Sequence, residues 1–129
     1  MARPGPRGRR APAGRERQRR PGRLVIRGAV YRIDLGSPRG HEQGGRRYGL
    51  VLSPSEMPWS VVTVVPTSTS AAAAVFRPEI EVAGERTVIL VDQIRTIDID
   101  YVVGEPVDFL HHEDLATVER AVVSYLGLL

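Results

Sequence analysis

The chain has no cysteine and no lysine in its 129 residues. Without cysteine there can be no disulfide, no thiolate metal site and no cysteine nucleophile, and such usage suits a cytoplasmic protein. Aromatics are scarce: one Trp, four Tyr and two Phe. The core must therefore come mainly from Val, Leu, Ile and Ala, which fits an apolar share of 42%. Short Val-rich runs favour strands over helices. No apolar run approaches the roughly 18 residues of a membrane span. The N-terminal arginines are followed by no apolar h-region, so they are not a secretory signal. The three histidines show no zinc-ligand spacing, and no metal or other cofactor is expected.

With lysine absent, all 18 basic residues are arginine, and they are unevenly placed. Residues 1–23 hold nine arginines and one acid, Glu16, a net charge of about +8. Residues 24–129 hold nine arginines and 14 acids, about −5. The high isoelectric point therefore belongs to an Arg/Pro/Gly-rich tail with almost nothing to bury, which composition predicts to be disordered. Such a tail can hold nucleic acid through phosphates without reading sequence, or be a non-functional extension. A single domain is expected from residue 24 to 129.

Within it, strands are predicted over Gly28–Leu35, Arg47–Ser53, Ser60–Pro66, Phe76–Val82, Arg86–Val91 and Gln93–Ile97. Ser60–Pro66 is apolar almost throughout, so it should be buried on both faces. Ser37–Arg46 reads as a long polar loop, Pro54–Trp59 as a turn, Ser70–Val75 as a loop and Ala83-Gly84-Glu85 as a turn. The one helix pattern runs from His112 to Leu126, with Leu115, Val118, Val122, Tyr125 and Leu126 on one stripe. Glu113 and Asp114 suit its start and Gly127 its end. Short strands closed by one helix imply a mainly β (α+β) domain, a curved antiparallel sheet or small barrel.

The candidate chemistry lies in two segments. One is Gly40-His41-Glu42-Gln43-Gly44-Gly45-Arg46-Arg47-Tyr48, a glycine-rich loop entering a strand. A guanidinium at a rigid strand start, such as Arg47, can fork onto a phosphate and stabilise charge on it. Arg46 should point to the other face. Glu42 can accept a proton or orient a sugar hydroxyl. The same residues also suit an ordinary solvated strand end. His41 has the pKa of a general base, yet stands alone; His111 and His112 cap or decorate the helix. The other segment is Pro66-Thr67-Ser68-Thr69-Ser70, where Thr67 and Thr69 should face one way and Ser68 the other. No Ser-His-Asp arrangement surrounds it, so a serine nucleophile is not expected.

In order and spacing these pieces resemble the MazF/PemK family of toxin endoribonucleases. The shared pattern is Gly-x-Glu-Gln-x-Gly-x-Arg, an apolar strand, then Val-Val-Pro-x-Ser/Thr. Gly28-Ala29-Val30-Tyr31 is similar to the family's opening strand, and Asp92-Gln93-Ile94-Arg95-Thr96-Ile97 to its Asp-Gln-Val/Ile-Lys/Arg-Ser/Thr-Ile/Leu segment. The Leu115–Leu126 helix also fits, so the likeness spans residues 26–129. It implies an SH3-like barrel of the CcdB–MazF type and a homodimer. It implies cleavage of single-stranded RNA without metal, at short sequences, inhibiting translation and growth; messenger RNA is the expected target, with ribosomal or transfer RNA as others. Arg47 falls on the family's catalytic arginine and Ser68 on its catalytic hydroxyl, with Thr67 and Thr69 one residue to either side. Glu42 and Gln43 fall on its acid–amide pair, Glu42 as a proton-transfer candidate. Arg46, Gln93, Thr67, Thr69 and Tyr48 are candidates for holding RNA. Tyr48 stands where the family usually has proline, and its ring can stack on a base, worth roughly 1–3 kcal/mol.

The resemblance also implies a partner, a MazE-like antitoxin with an acidic disordered tail, through which alone DNA would be met; no membrane is involved. Arg39, Arg46, Arg47 and Arg77 can form a basic groove on an acidic body. Two other readings use the same chain: a non-enzymatic toxin like the gyrase poison CcdB, and a passive RNA-binding module.

Overall fold

The computed structural model describes residues 24–35, 46–55 and 60–128. The tail 1–23, most of the glycine-rich loop with Arg39, His41, Glu42 and Gln43, and part of the Pro54–Trp59 turn lie outside these residues.

Among the described residues, seven antiparallel strands and one helix follow in chain order: β1 (Ala29–Asp34), β2 (Arg46–Val51), β3 (Val61–Ser68), β4 (Glu79–Val82), β5 (Glu85–Ile89), β6 (Arg95–Asp98), β7 (Val102–Phe109) and α1 (His112–Tyr125). They form a curled sheet, a half-barrel with the order β4-β5-β3-β2-β1-β7, and β6 also on β3. This is the mainly β architecture with a closing helix that the sequence predicts. The curl runs far enough for the Ala83 N–H, in the turn after β4, to donate to Asp108 of β7 at 2.7 Å. No helix among the described residues is long and apolar enough to cross a membrane.

Strand β3 organises the sheet because it changes partners along its length. Val61–Val64 pair with β6, while Val64–Pro66 pair with β2 on the other edge. Past Pro66, Thr67 and Ser68 pair instead with Ile89 and Val88 of β5. Pro66 has no N–H to give a ladder, but its carbonyl accepts the Leu90 N–H at 2.9 Å. A 3-10 turn, Val91–Gln93, fills the gap between β5 and β6 at this switch.

The alternation of strand side chains divides the core in two. Tyr31, Ile33, Val51, Val62, Val64, Ile97 and Val102 pack on one face. Val30, Leu50, Val65, Ile80, Val82, Ile89 and Val91 pack on the other, beneath Val118 of α1. Strand β3 supplies both, as its apolar run predicts. Each buried aliphatic side chain contributes about 1.5–3 kcal/mol relative to exposure. An ion pair between Arg27 and Glu119, at 2.8 Å, ties the start of the domain to the helix.

Four elements differ from the sequence expectation. Strand β3 continues two residues past Pro66, carrying Thr67 and Ser68 into the sheet. The predicted strand at Phe76 is regular only from Glu79, after Pro78; before it there is a single bridge between Ala74 and Arg77. Gln93 lies in the 3-10 turn rather than in a strand. Strand β7 was not expected, because Gly104 and Pro106 interrupt its pattern. It pairs only with β1, through a register shift between Val30 and Arg32, and an edge with a bulge tolerates both residues. The helix ends within one residue of its predicted limit, with Gly127 following at φ 69°.

Candidate active site

The β2–β3 register brings the two candidate segments together. Gly49 pairs with Pro66, and the same register carried two residues further sets Arg47 across from Ser68. Gly49 leaves room for the Ile33 side chain, which crosses the strand at this point: a Cβ there would lie 2.5 Å from its Cδ1. A larger residue would force the Ile33 side chain to shift, and Ile33 is the residue of β1 that pairs with Arg47.

Beyond the last paired residues, side chains replace the ladder. Arg47 Nη1 donates to the Thr67 carbonyl at 2.7 Å. Thr67 Oγ1 donates to the Tyr48 carbonyl at 3.0 Å. The half-buried Arg47 guanidinium therefore rests against the peptide joining Thr67 to Ser68.

The three hydroxyls differ in what they can do. Thr67 is 4% exposed and its hydroxyl already has a partner. Thr69 is exposed. Ser68 lies between these extremes, and its Oγ accepts the N–H groups of Ser70 at 3.1 Å and Ala71 at 2.9 Å. A hydroxyl oxygen has two lone pairs, so both are engaged. The Ser68 proton is then left to donate, with Ser70 Oγ 3.3 Å away as a neighbouring hydroxyl. Such a group is a strong candidate donor to a phosphate oxygen and a poor nucleophile. Thr67 and Ser68 face opposite ways, as the strand pattern predicts, whereas Thr69 lies exposed beyond the end of β3 and does not share the buried face of Thr67.

Other candidates are placed differently. Tyr48 lies on the face opposite Arg47: its ring packs against the second core cluster, with Arg32 5.9 Å from the ring centroid. The ring is half-buried there, on the face of the sheet away from Arg47. Arg46 begins β2 across from Asp34; its side chain, like Glu42 and Gln43, is outside the described residues. Gln93 is half-buried in the 3-10 turn beside the point where β3 changes partners. His111 is the N-cap residue of α1 but makes no side-chain cap hydrogen bond, and His112 is the first helical residue.

Arg77 is not part of an open basic groove. Its Nε and Nη2 each donate to Asp92 at 2.9 Å, a two-point pair. These bonds hold the Asp92 carboxyl below its ordinary range, outweighing the partial burial that pushes it up. They raise the Arg77 guanidinium in turn. A lowered carboxylate pKa stabilises the fold above the unfolded value, near 4, and this contribution is lost as pH falls through the folded value. Asp92→Asn is therefore expected to cost about 1–3 kcal/mol at pH 7. In thermal unfolding the gap between variant and wild type should close below about pH 4. A gap that stays constant down to acid pH would mean that the carboxylate charge is not what stabilises this pair.

Arg86 of β5 was not a sequence candidate. It pairs with Glu79 at 3.1 Å and reaches the Thr69 and Ala71 carbonyls at 3.4 and 3.2 Å. In sequence it is one charge in a hairpin; only the β3–β5 pairing reveals what it touches.

Comparison with known proteins gives a consistent result. The sequence pattern of the PemK-like, MazF-like toxins of type II toxin–antitoxin systems matches residues 26–126. A Mycobacterium tuberculosis protein with a provisional toxin name, Rv3098A, is 68% identical over 106 residues, covering 81% of this chain and all of the relative. Among solved structures, MazF from Deinococcus radiodurans superposes with a TM-score of 0.73 at 28% identity, over 81% of this chain and 98% of that one. A mycobacterial endoribonuclease in complex with its cognate antitoxin superposes with a TM-score of 0.67 at 22% identity, over 81% and 97%.

Proposed function

The chain belongs to the PemK-like, MazF-like toxins of type II toxin–antitoxin systems, and we propose that it acts as a metal-independent endoribonuclease on single-stranded RNA. The observation that carries this reading is the Arg47 guanidinium held 2.7 Å from the Thr67 carbonyl, next to a Ser68 hydroxyl whose oxygen accepts two backbone N–H groups. One group supplies positive charge and the other an oriented proton. Both suit the crowded, negatively charged phosphorus centre of a transesterification.

In this mechanism the RNA supplies its own nucleophile. The 2′-oxygen bonds to the adjacent phosphorus and the bond from phosphorus to the 5′-oxygen breaks. The 2′-hydroxyl proton passes to a base, for which Glu42 is the candidate, with Arg47 as the other. The leaving 5′-oxygen takes up a proton. The products are a 2′,3′-cyclic phosphate and a 5′-hydroxyl. Arg47 stabilises the pentacoordinate phosphorane, and Ser68 donates to one of its non-bridging oxygens. Gln43, Arg46 and Thr69 are proposed to hold RNA around this centre and Gln93 to border it; Thr67 acts through the strand ends it joins.

A cognate antitoxin bearing an acidic segment would suit the same arginine surface, and a homodimer is the proposed assembly. The gyrase-poison reading makes both Arg47 and Ser68 dispensable, and the passive-module reading predicts salt-sensitive binding with no cutting. The test is incubation of the full chain with mixed-sequence single-stranded RNA in excess EDTA. Discrete fragments ending in cyclic phosphate are expected. Intact RNA bound at low salt would favour the passive module, and intact, unbound RNA would sink the nuclease.

A further inference from the structure

We infer that Arg86 is a positioning residue for this site, acting on Ser68 through the backbone of the turn that follows it; the kinetic part of the inference rests on the endoribonuclease reading. The geometry is a relay. The Thr69 carbonyl and the Ser70 N–H belong to one peptide group. Its oxygen accepts from Arg86 Nη1 at 3.4 Å, and its N–H donates to Ser68 Oγ at 3.1 Å. The second arm of the fork, Nη2, donates to the Ala71 carbonyl at 3.2 Å, and the Ala71 N–H donates to Ser68 Oγ at 2.9 Å. Arg86 thus grips the turn on both sides of Ser70, and the amides bracketed by that grip are the two that engage Ser68.

The placement follows from the fold. Pairing of Ser68 with Val88 carries β5 past the end of β3, so Arg86 comes alongside the chain just beyond Ser68. Glu79 of β4 takes the guanidinium Nε at 3.1 Å and fixes the fork from behind. Without this clamp the turn would be a run of serine and alanine with little to restrain it, since Thr69 to Ala71 are exposed or half-exposed.

Two physical effects act together. A fixed turn holds both amides on Ser68 Oγ, so the hydroxyl keeps its proton for donation. A cation on the carbonyl side of a peptide also polarises it, and hydrogen bonds in series reinforce one another. The N–H then donates more strongly, and the Ser68 O–H becomes a better donor to a phosphate oxygen. The bland alternative is a solvated hairpin arginine paired with Glu79, which predicts no coupling to Ser68.

The experiment measures kcat and KM on a single-stranded RNA that the wild type cuts, for Arg86→Gln, Arg86→Lys, Ser68→Ala and the Arg86→Gln/Ser68→Ala double variant of the full chain. Arg86→Gln should lower kcat about tenfold with KM within about twofold, and Arg86→Lys, which keeps a cation on the carbonyls, should recover most of the loss. In the Ser68→Ala background Arg86→Gln should cost nothing further. Equal losses in both backgrounds, or a raised KM with unchanged kcat, would overturn the inference. A second readout needs no catalysis: amide hydrogen exchange at Ser70 and Ala71 should quicken about tenfold in Arg86→Gln, as a released hydrogen bond does. Unchanged exchange would overturn the inference even if the enzyme cuts RNA. If the wild type cuts no RNA, the endoribonuclease reading falls and the exchange data still decide the clamp.

Discussion

Arg47→Ala is expected to lower the rate of RNA cleavage about a thousandfold, at the upper end of the 10²–10³ range for removing one donor to a developing oxyanion. The upper end is appropriate because the lost group is charged and its position is fixed. Its Nη1 hydrogen bond to the Thr67 carbonyl holds the guanidinium before substrate arrives, so little ordering remains to be done in the transition state. Arg47→Lys should recover only part of the loss, because an ammonium keeps the charge but not the planar fork. The loss should fall mainly on kcat, since the phosphorane carries more charge than the ground-state phosphodiester. Misfolding is separable from this effect. The variant loses the charge-assisted hydrogen bond to Thr67, about 1.5–3 kcal/mol, which lowers the melting temperature and leaves the two core clusters intact. Folded Arg47→Ala protein that cuts RNA within tenfold of wild type would remove Arg47 from the mechanism.

How much of this site was legible in the sequence depended on whether the signal was local. Arg47 and Ser68 stand out because one opens a short apolar run and the other closes one, and strand alternation alone separates Ser68 from Thr67. What alternation does not supply is the reason for the difference: Thr67 is buried because β3 extends past Pro66 to pair with β5. Strand β7 was hidden by Gly104 and Pro106, which are strand breakers everywhere except at an irregular edge. Arg77 looked like a free cation because its partner, Asp92, is fifteen residues away and meets it only in the folded chain. Arg86 was invisible for the same reason. Adjacency in sequence does not place Tyr48 beside Arg47: neighbours in a strand face opposite ways, so its ring lies on the other side of the sheet. The family resemblance carried the assignment of the motifs, and the long-range pairings decided which of their atoms meet.

An oligonucleotide with deoxyribose at the cut position, and ribose elsewhere, should not be cleaved at that position at all. The expectation follows from the inventory of nucleophiles. The chain has no cysteine. The serine nearest Arg47 has both lone pairs of Oγ engaged by backbone amides, so attack through that oxygen would require breaking the turn that positions it. In the proposed mechanism the 2′-hydroxyl is the reacting group, so deleting it removes the nucleophile rather than weakening a contact. Binding should change little, because the phosphates that Arg47 meets are retained, so the modified oligonucleotide should compete with its all-ribose counterpart at a similar concentration. That pairing of undiminished competition with absent cleavage separates loss of chemistry from loss of affinity. Cutting at the deoxyribose would mean that water or a side chain attacks phosphorus. It would leave the fold and the family untouched while removing the 2′-hydroxyl from the mechanism, and the ends it produced, with a phosphate on either the 3′ or the 5′ side, would identify which bond the new nucleophile had broken.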